Sequence, residues 1–186
     1  MENIDYHNFV DNELFKKNFQ IIQVTEKLIN ERLNEIAGFV NSIRNEYSLL
    51  YGWNEETIDY FINPMDKKFK FSFLIEEKKD REIAFASFAS VYGDRIHHHF
   101  SYTGKIYRNL GLAKLHIIKL CQTCLDHNFV KLEAYAPKKN SSSIRLLLSL
   151  GYEIENIRNL NEVFLIADLK NVRDSAYNLY LKNCLK

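Results

Sequence analysis

Three consecutive histidines, His97, His98 and His99, sit in a stretch where apolar residues recur at every second position. On an extended chain, alternate side chains share a face, so His97 and His99 point together and His98 points away. An imidazole near its ordinary pKa exchanges a proton at neutral pH. His97 could therefore act as a general base, with His99 or Ser101 holding a relay water. Glu133 and Tyr135 repeat the same spacing further along and bring a carboxylate and a phenol to one face. The plainer roles for these groups are strand packing and solvation of a polar cleft. Two histidines at i and i+2 supply only two metal ligands, and no further ligand stands at a convincing spacing. Cys121 and Cys124 form C-x-x-C inside a helical pattern without a second pair, so they read as small buried apolar residues and no metal is expected.

A second kind of chemistry is suggested by Arg108-Asn109-Leu110-Gly111-Leu112-Ala113, which follows an extended stretch and opens a helix. A helix N-terminus offers unpaired N–H groups and partial positive charge, and both favour a phosphate or pyrophosphate. Gly111 would let the backbone approach such a ligand, and Ala113 would keep the next turn thin. No Ser, Thr or Asp caps this helix, so an anion would supply the missing acceptor. The alternative is a glycine that merely interrupts a loop.

The segment resembles the GNAT family of N-acetyltransferases, whose signature is Gln or Arg, two residues, Gly, one residue, then Gly or Ala. Arg108, Gly111 and Ala113 match it, and Tyr107 is the aromatic residue often found before the Arg. A second family segment is matched by Asn140, Ser143, Leu146, Gly151 and Tyr152, and Leu147 stands where the family commonly has Tyr. The resemblance covers about residues 20–169.

What the resemblance implies is an α/β fold of the mixed α+β kind. It has a central, mostly antiparallel sheet splayed between its fourth and fifth strands, with helices on both faces. Acetyl-coenzyme A would be the co-substrate, with its pyrophosphate on Arg108, Asn109, Leu110, Gly111, Leu112 and Ala113. The backbone of Phe100, Ser101, Tyr102 and Thr103 would pair with the pantetheine arm like an added strand. Asn140 would contact the pantetheine or a water, and Ser143 would leave the cofactor room. The acetyl group would pass by direct attack, in a ternary complex, to an amine of a small-molecule or peptide acceptor. In many members a Tyr protonates the leaving thiolate. Leu147 cannot, which leaves Tyr135 and Tyr102 as candidates. His97 falls where some members place a catalytic Glu.

These residues need elements to hold them. A short helix or arm is expected over 1–18 and a first strand over 19–24. Ile29, Leu33, Ile36, Val40, Ile43 and Tyr47 mark one face of an amphipathic helix. A short helix over 55–62 should stop near Pro64. Phe69, Phe71, Phe73 and Ile75 alternate as in a half-buried strand, and strands over 83–92 and 95–103 complete an antiparallel meander. A helix to about residue 127, a strand over 130–136, a helix over 141–150 with Ile144, Leu147 and Leu148 on one face, and a strand over 163–169 follow. Gly151 should stop the second of these helices. A terminal helix over 171–181 could pack on the sheet or support a homodimer.

The chain has 186 residues and a net charge of +1. The length suits a single domain over 1–186, made of an arm (1–18), a core (19–169) and a terminal helix (170–186). Near-neutral charge without a basic patch argues against nucleic acid. No stretch reads as a membrane span or secretory signal, and the odd cysteine count suits a reducing cytoplasm. Aromatic and acidic residues between Tyr47 and Ile62 could border a site for a cationic amine. Leu147 also leaves open a non-catalytic coenzyme A-binding sensor or interaction module.

Overall fold

A computed structural model describes residues 13–51, 71–158 and 161–184. The helix expected over 55–62 and the acidic aromatic stretch around it lie largely outside these residues. A short helix α1 (Glu13–Asn18) leads into strand β1 (Phe19–Gln23) and the long helix α2 (Glu26–Tyr51). Three strands follow, β2 (Phe73–Glu77), β3 (Ile83–Tyr92) and β4 (Arg95–Thr103). Then come helix α3 (Leu112–Asp126), strand β5 (Lys131–Pro137), helix α4 (Ser141–Ser149), strands β6 (Glu153–Arg158) and β7 (Glu162–Asp168), and helix α5 (Leu169–Cys184).

The strands form one seven-stranded sheet in the order β1-β2-β3-β4-β5-β7-β6. Every described pairing is antiparallel except that of β4 with β5. This is the mixed sheet expected, with helices on both faces. Leu112, Leu115 and Ile118 of α3 and Val172, Ala176 and Tyr180 of α5 pack on one face together with Leu147 and Leu150. Ile29, Ile36 and Val40 of α2 pack on the other, against Leu74, Ala86, Phe88, Phe100 and Tyr102. Cys121 and Cys124 are fully buried in the first cluster, and burial pushes both thiols well up.

The structure corrects three expectations. β2 is not half-buried: Ser72, Phe73, Leu74, Ile75 and Glu76 are all buried, because β2 lies inside the sheet between β1 and β3. Strand β6 was not expected; it is an edge strand, and its exposed, charge-bearing residues carry no apolar alternation. In α4, Leu148 is exposed, and the buried positions are Leu147 and, just beyond the helix, Leu150. The helix does stop at Gly151 (φ +90°), where the Tyr152 N–H reaches the Leu147 carbonyl at 3.1 Å and the Gly151 N–H the Leu148 carbonyl at 3.0 Å.

Glu76 is a buried carboxylate near the end of β2, next to the partly buried Glu77. It accepts hydrogen bonds from Arg32 and Gln20, and Arg81 lies 3.7 Å away. Arg32 has a non-helical backbone (φ −125°, ψ 22°) that kinks α2, and it also pairs with Glu35. The hydrogen bond with Glu35 is the largest influence holding the guanidinium charged; burial opposes it and Glu76 reinforces it.

Candidate active site

β4 carries a bulge that re-aims its side chains. Phe88 of β3 faces Phe100, but the next β3 residue, Ala89, faces His98, so His99 is the extra residue. Before the bulge, Ile96 packs in the core beneath α3; after it, Phe100 and Tyr102 pack in the core beneath α2. His97 and His99 stay together, with ring centroids 4.4 Å apart. His98 turns the other way and is buried, its Nε2 3.0 Å from the Ser87 hydroxyl and its ring 5.9 Å from His116. Burial lowers the His98 imidazole to about 4, and neighbouring His97 adds to this.

The parallel pairing places His97 directly opposite Glu133. His97 Nδ1 lies 3.0 Å from Glu133 Oε1. With Glu133 ionised, Nδ1–H donates and Nε2 keeps its lone pair. Glu133 is nearly fully buried, and its second oxygen faces Arg95 Nη1 at 3.6 Å. The Tyr135 ring is 5.2 Å from His97 and stacks on Phe164 at 4.9 Å. The Ser90 hydroxyl is 2.6 Å from His99 Nε2. His97, Glu133 and Tyr135 therefore meet on one face. Glu133 itself lies on the paired part of β5, not on the part that diverges.

The pairing of β4 with β5 ends at His98 and Ala134. Beyond it, β4 continues to Thr103 along β3, and β5 continues to Pro137 along β7. A cavity of about 520 Å³ opens in this region. Ser101, Tyr102 and Thr103 line it from β4, and Arg108, Asn109 and Ala113 from the turn and the start of α3. Asn140 and Ser143 line it from the start of α4. Leu146, a position of the second family segment, also contributes, as do Phe85 and Ser142, which nothing in their spacing marked beforehand. Phe100, expected to meet the ligand through its backbone, and Leu112, in the expected pyrophosphate turn, both bury their side chains in the core. Leu110 is more than half exposed. Leu147 is buried in the core and lines no part of the cavity.

Local chemistry holds the turn at the head of α3. A single 3₁₀ turn (Lys105–Tyr107) follows β4. The buried Tyr107 hydroxyl lies 2.8 Å from Glu82 and 3.1 Å from Glu77, tying this turn to the β2–β3 hairpin. Asn109 (φ +68°) and Gly111 (φ +79°) are left-handed. A Cβ on Gly111 would also meet the Tyr180 ring at 3.2 Å, so glycine is needed there for packing as well as for φ. No side chain caps α3. Arg108 lies 5.4 Å over the Tyr102 ring and donates to its hydroxyl at 3.0 Å. Asn140 caps α4, accepting from the Ser143 N–H at 3.2 Å and the Ser142 hydroxyl at 3.0 Å. Among the described residues, no group of three His, Cys, Asp or Glu side chains could hold a metal ion. No helix there is long and apolar enough to cross a membrane.

Comparison with known proteins agrees with this geometry. The model of the Acetyltransferase (GNAT) family matches residues 29–152. A GNAT-family acetyltransferase from Staphylococcus aureus Mu50 superposes with a TM-score of 0.67 at 15% identity, over 81% of this chain and 99% of that one. The ribosomal-protein-S18-alanine N-acetyltransferase of Escherichia coli gives 0.61 at 15% identity, over 81% and 94%. The PaiA N-acetyltransferase of Thermoplasma acidophilum, in complex with coenzyme A, gives 0.60 at 11% identity, over 81% and 98%. No curated protein sequence matches. At these identities the structures speak for the fold, and the family model, spanning well over half of the chain, shows that the protein belongs to the GNAT family of acetyltransferases.

Proposed function

We propose that this enzyme moves the acetyl group of acetyl-coenzyme A to an amine of a small-molecule or peptide acceptor by direct attack in a ternary complex. The observation that carries this reading is that two features share strand β4, although none of His97, Glu133 and Tyr135 lines the cavity itself. A cavity headed by an uncapped helix lies where β4 and β5 part, and the His97–Glu133 pair sits at the last stretch of their pairing. The residues present suit the co-substrate. Ala113 and Ser143 are small, the stretch of β4 beyond its pairing with β5 carries backbone groups suited to an amide-bearing arm, and the start of α3 with Arg108 offers positive charge to a pyrophosphate.

Acetyl-coenzyme A supplies the thioester; the chain's residues manage protons and position. Glu133 holds Nδ1–H of His97, which aims Nε2 as an acceptor for the proton of the attacking amine. The C–N bond forms as the C–S bond breaks, and the departing thiolate takes a proton. Leu147 cannot give it, so the role falls to the Tyr135 phenol, whose ring neighbours His97. The imidazolium then returns a proton to Tyr135, and the amine's proton ends on the thiol.

Free-thiol release from acetyl-coenzyme A across a panel of amines tests the reading, with wild type beside Ala113→Glu. The substitution puts a carboxylate into the cavity at a helix N-terminal position where Glu is otherwise well tolerated. Amine-dependent release, with a KM for acetyl-coenzyme A raised at least about tenfold in the variant, is expected. Buried Leu147 favours a second reading, a coenzyme A-binding sensor. Acetyl-coenzyme A that raises the melting temperature of wild type, with no release with any amine, would favour that reading.

A further inference from the structure

Four rings run side by side across three strands on the face that carries His97. His99 meets His97 at 4.4 Å, His97 meets Tyr135 at 5.2 Å, and Tyr135 stacks on Phe164 at 4.9 Å with an interplanar angle of 29°. Phe164 and Tyr135 are direct cross-strand partners on β7 and β5. All four residues are partly exposed, unlike the buried aromatics beneath α2 and α3. From β4 to β7 the row crosses two inter-strand spacings, about 10 Å, close to the span of one aromatic ring on a short arm. The second ring of the row, His97, is the imidazole that would accept the amine's proton.

The charges nearby point the same way. Glu133 is held by His97, and Arg95 lies 3.6 Å from Glu133 and 3.9 Å from Glu155. Among the described residues beside the row, both carboxylates already lie near the Arg95 cation. Ser90, the serine beside the row, is engaged with His99. A ring laid on Phe164 and Tyr135 would gain burial and stacking together.

We propose that Phe164, with Tyr135, forms the acceptor subsite, and that the acceptor is a primary amine carrying a planar aromatic ring on a short arm. The proposal rests on the acetyltransferase reading, with His97 as the proton acceptor. A ring on Phe164 places an amine one short arm away beside His97, at the end of the gap where the thioester would lie.

The test compares 2-phenylethylamine, 2-cyclohexylethylamine, 1,4-diaminobutane and glucosamine at saturating acetyl-coenzyme A, in wild type and Phe164→Leu. Calorimetric binding of 2-phenylethylamine to the protein with coenzyme A runs in parallel. Leucine keeps apolar volume and removes the ring face, and an unchanged melting temperature and KM for acetyl-coenzyme A show that the variant is folded. The expected result is a kcat/KM for 2-phenylethylamine at least about tenfold above the diamine and the sugar, and above the cyclohexyl analogue by about fivefold. The preference over the cyclohexyl analogue should disappear in Phe164→Leu. Equal rates for all four amines, or a preference that survives Phe164→Leu, overturns the subsite and leaves the transferase standing. Binding that weakens in Phe164→Leu, without turnover of any amine, supports the subsite and sinks the transferase. Neither binding nor turnover of the aryl amine overturns the proposal.

Discussion

His97 and His98 are neighbours in sequence and opposites in chemistry. His97 is partly exposed and tied to Glu133, whereas His98 is buried against Ser87 and His116. Strand alternation in the sequence was enough to separate them. It could not show that Glu133 lies directly opposite His97, because a parallel register between strands joined by a helix is written in no local spacing. Glu133→Gln keeps the shape but weakens the hold on Nδ1–H, so steady-state kinetics should show kcat reduced by about tenfold or more, with a smaller change in the KM for acetyl-coenzyme A. The buried pair has a consequence for stability. Burial lowers His98 to about 4, and His116 falls well below its usual value for the same reason; Nε2 of His116 has no hydrogen-bond partner among the described residues. Both are neutral in the folded chain, while the unfolded chain binds protons below about pH 6.5. Stability present above pH 6.5 is therefore lost as pH falls toward 4. Urea midpoints measured across this range should fall, and His116→Leu should flatten the slope.

Among the elements, the most legible were those with a clear period. β3 and β4 begin and end at the residues expected, and α3, β5 and β7 lie within a few residues of expectation. β6 was illegible because an exposed edge strand needs no apolar face, and β2 was misread because both of its faces are covered. The bulge at His99 left no mark either, since it is a property of the pairing with β3. The kink of α2 falls at Arg32, the residue whose guanidinium reaches the buried Glu76. Removing the cation strands a buried carboxylate, which costs about 3 kcal/mol or more. Chemical denaturation of Arg32→Met should show a loss of that size, and Arg32→Met combined with Glu76→Leu should recover much of it. An unchanged midpoint in the single variant would show that the pair contributes nothing to holding α2.

For the whole molecule, the two motif segments were readable because each ends in a backbone requirement. Gly111 and Gly151 both have positive φ, and both close or open a helix at the positions expected. What joins the segments into one site was not readable. The pairing of β4 with β5 ends at His98 and Ala134, one residue beyond the pair that faces His97 with Glu133, and the cavity is lined by β4 beyond that point. The proposed acid–base pair and the proposed co-substrate cavity thus lie on successive stretches of β4, before and after its pairing with β5 ends. Gly111 is a poor probe of this arrangement, since Tyr180 packs against it. Acetylated-amine formation in wild type, His97→Ala and Ala113→Glu, assayed together, tests the account most directly. The account predicts a kcat about 100-fold lower in His97→Ala with an unchanged KM for acetyl-coenzyme A, and a raised KM in Ala113→Glu. Rates and KM values equal to wild type in both variants would contradict it.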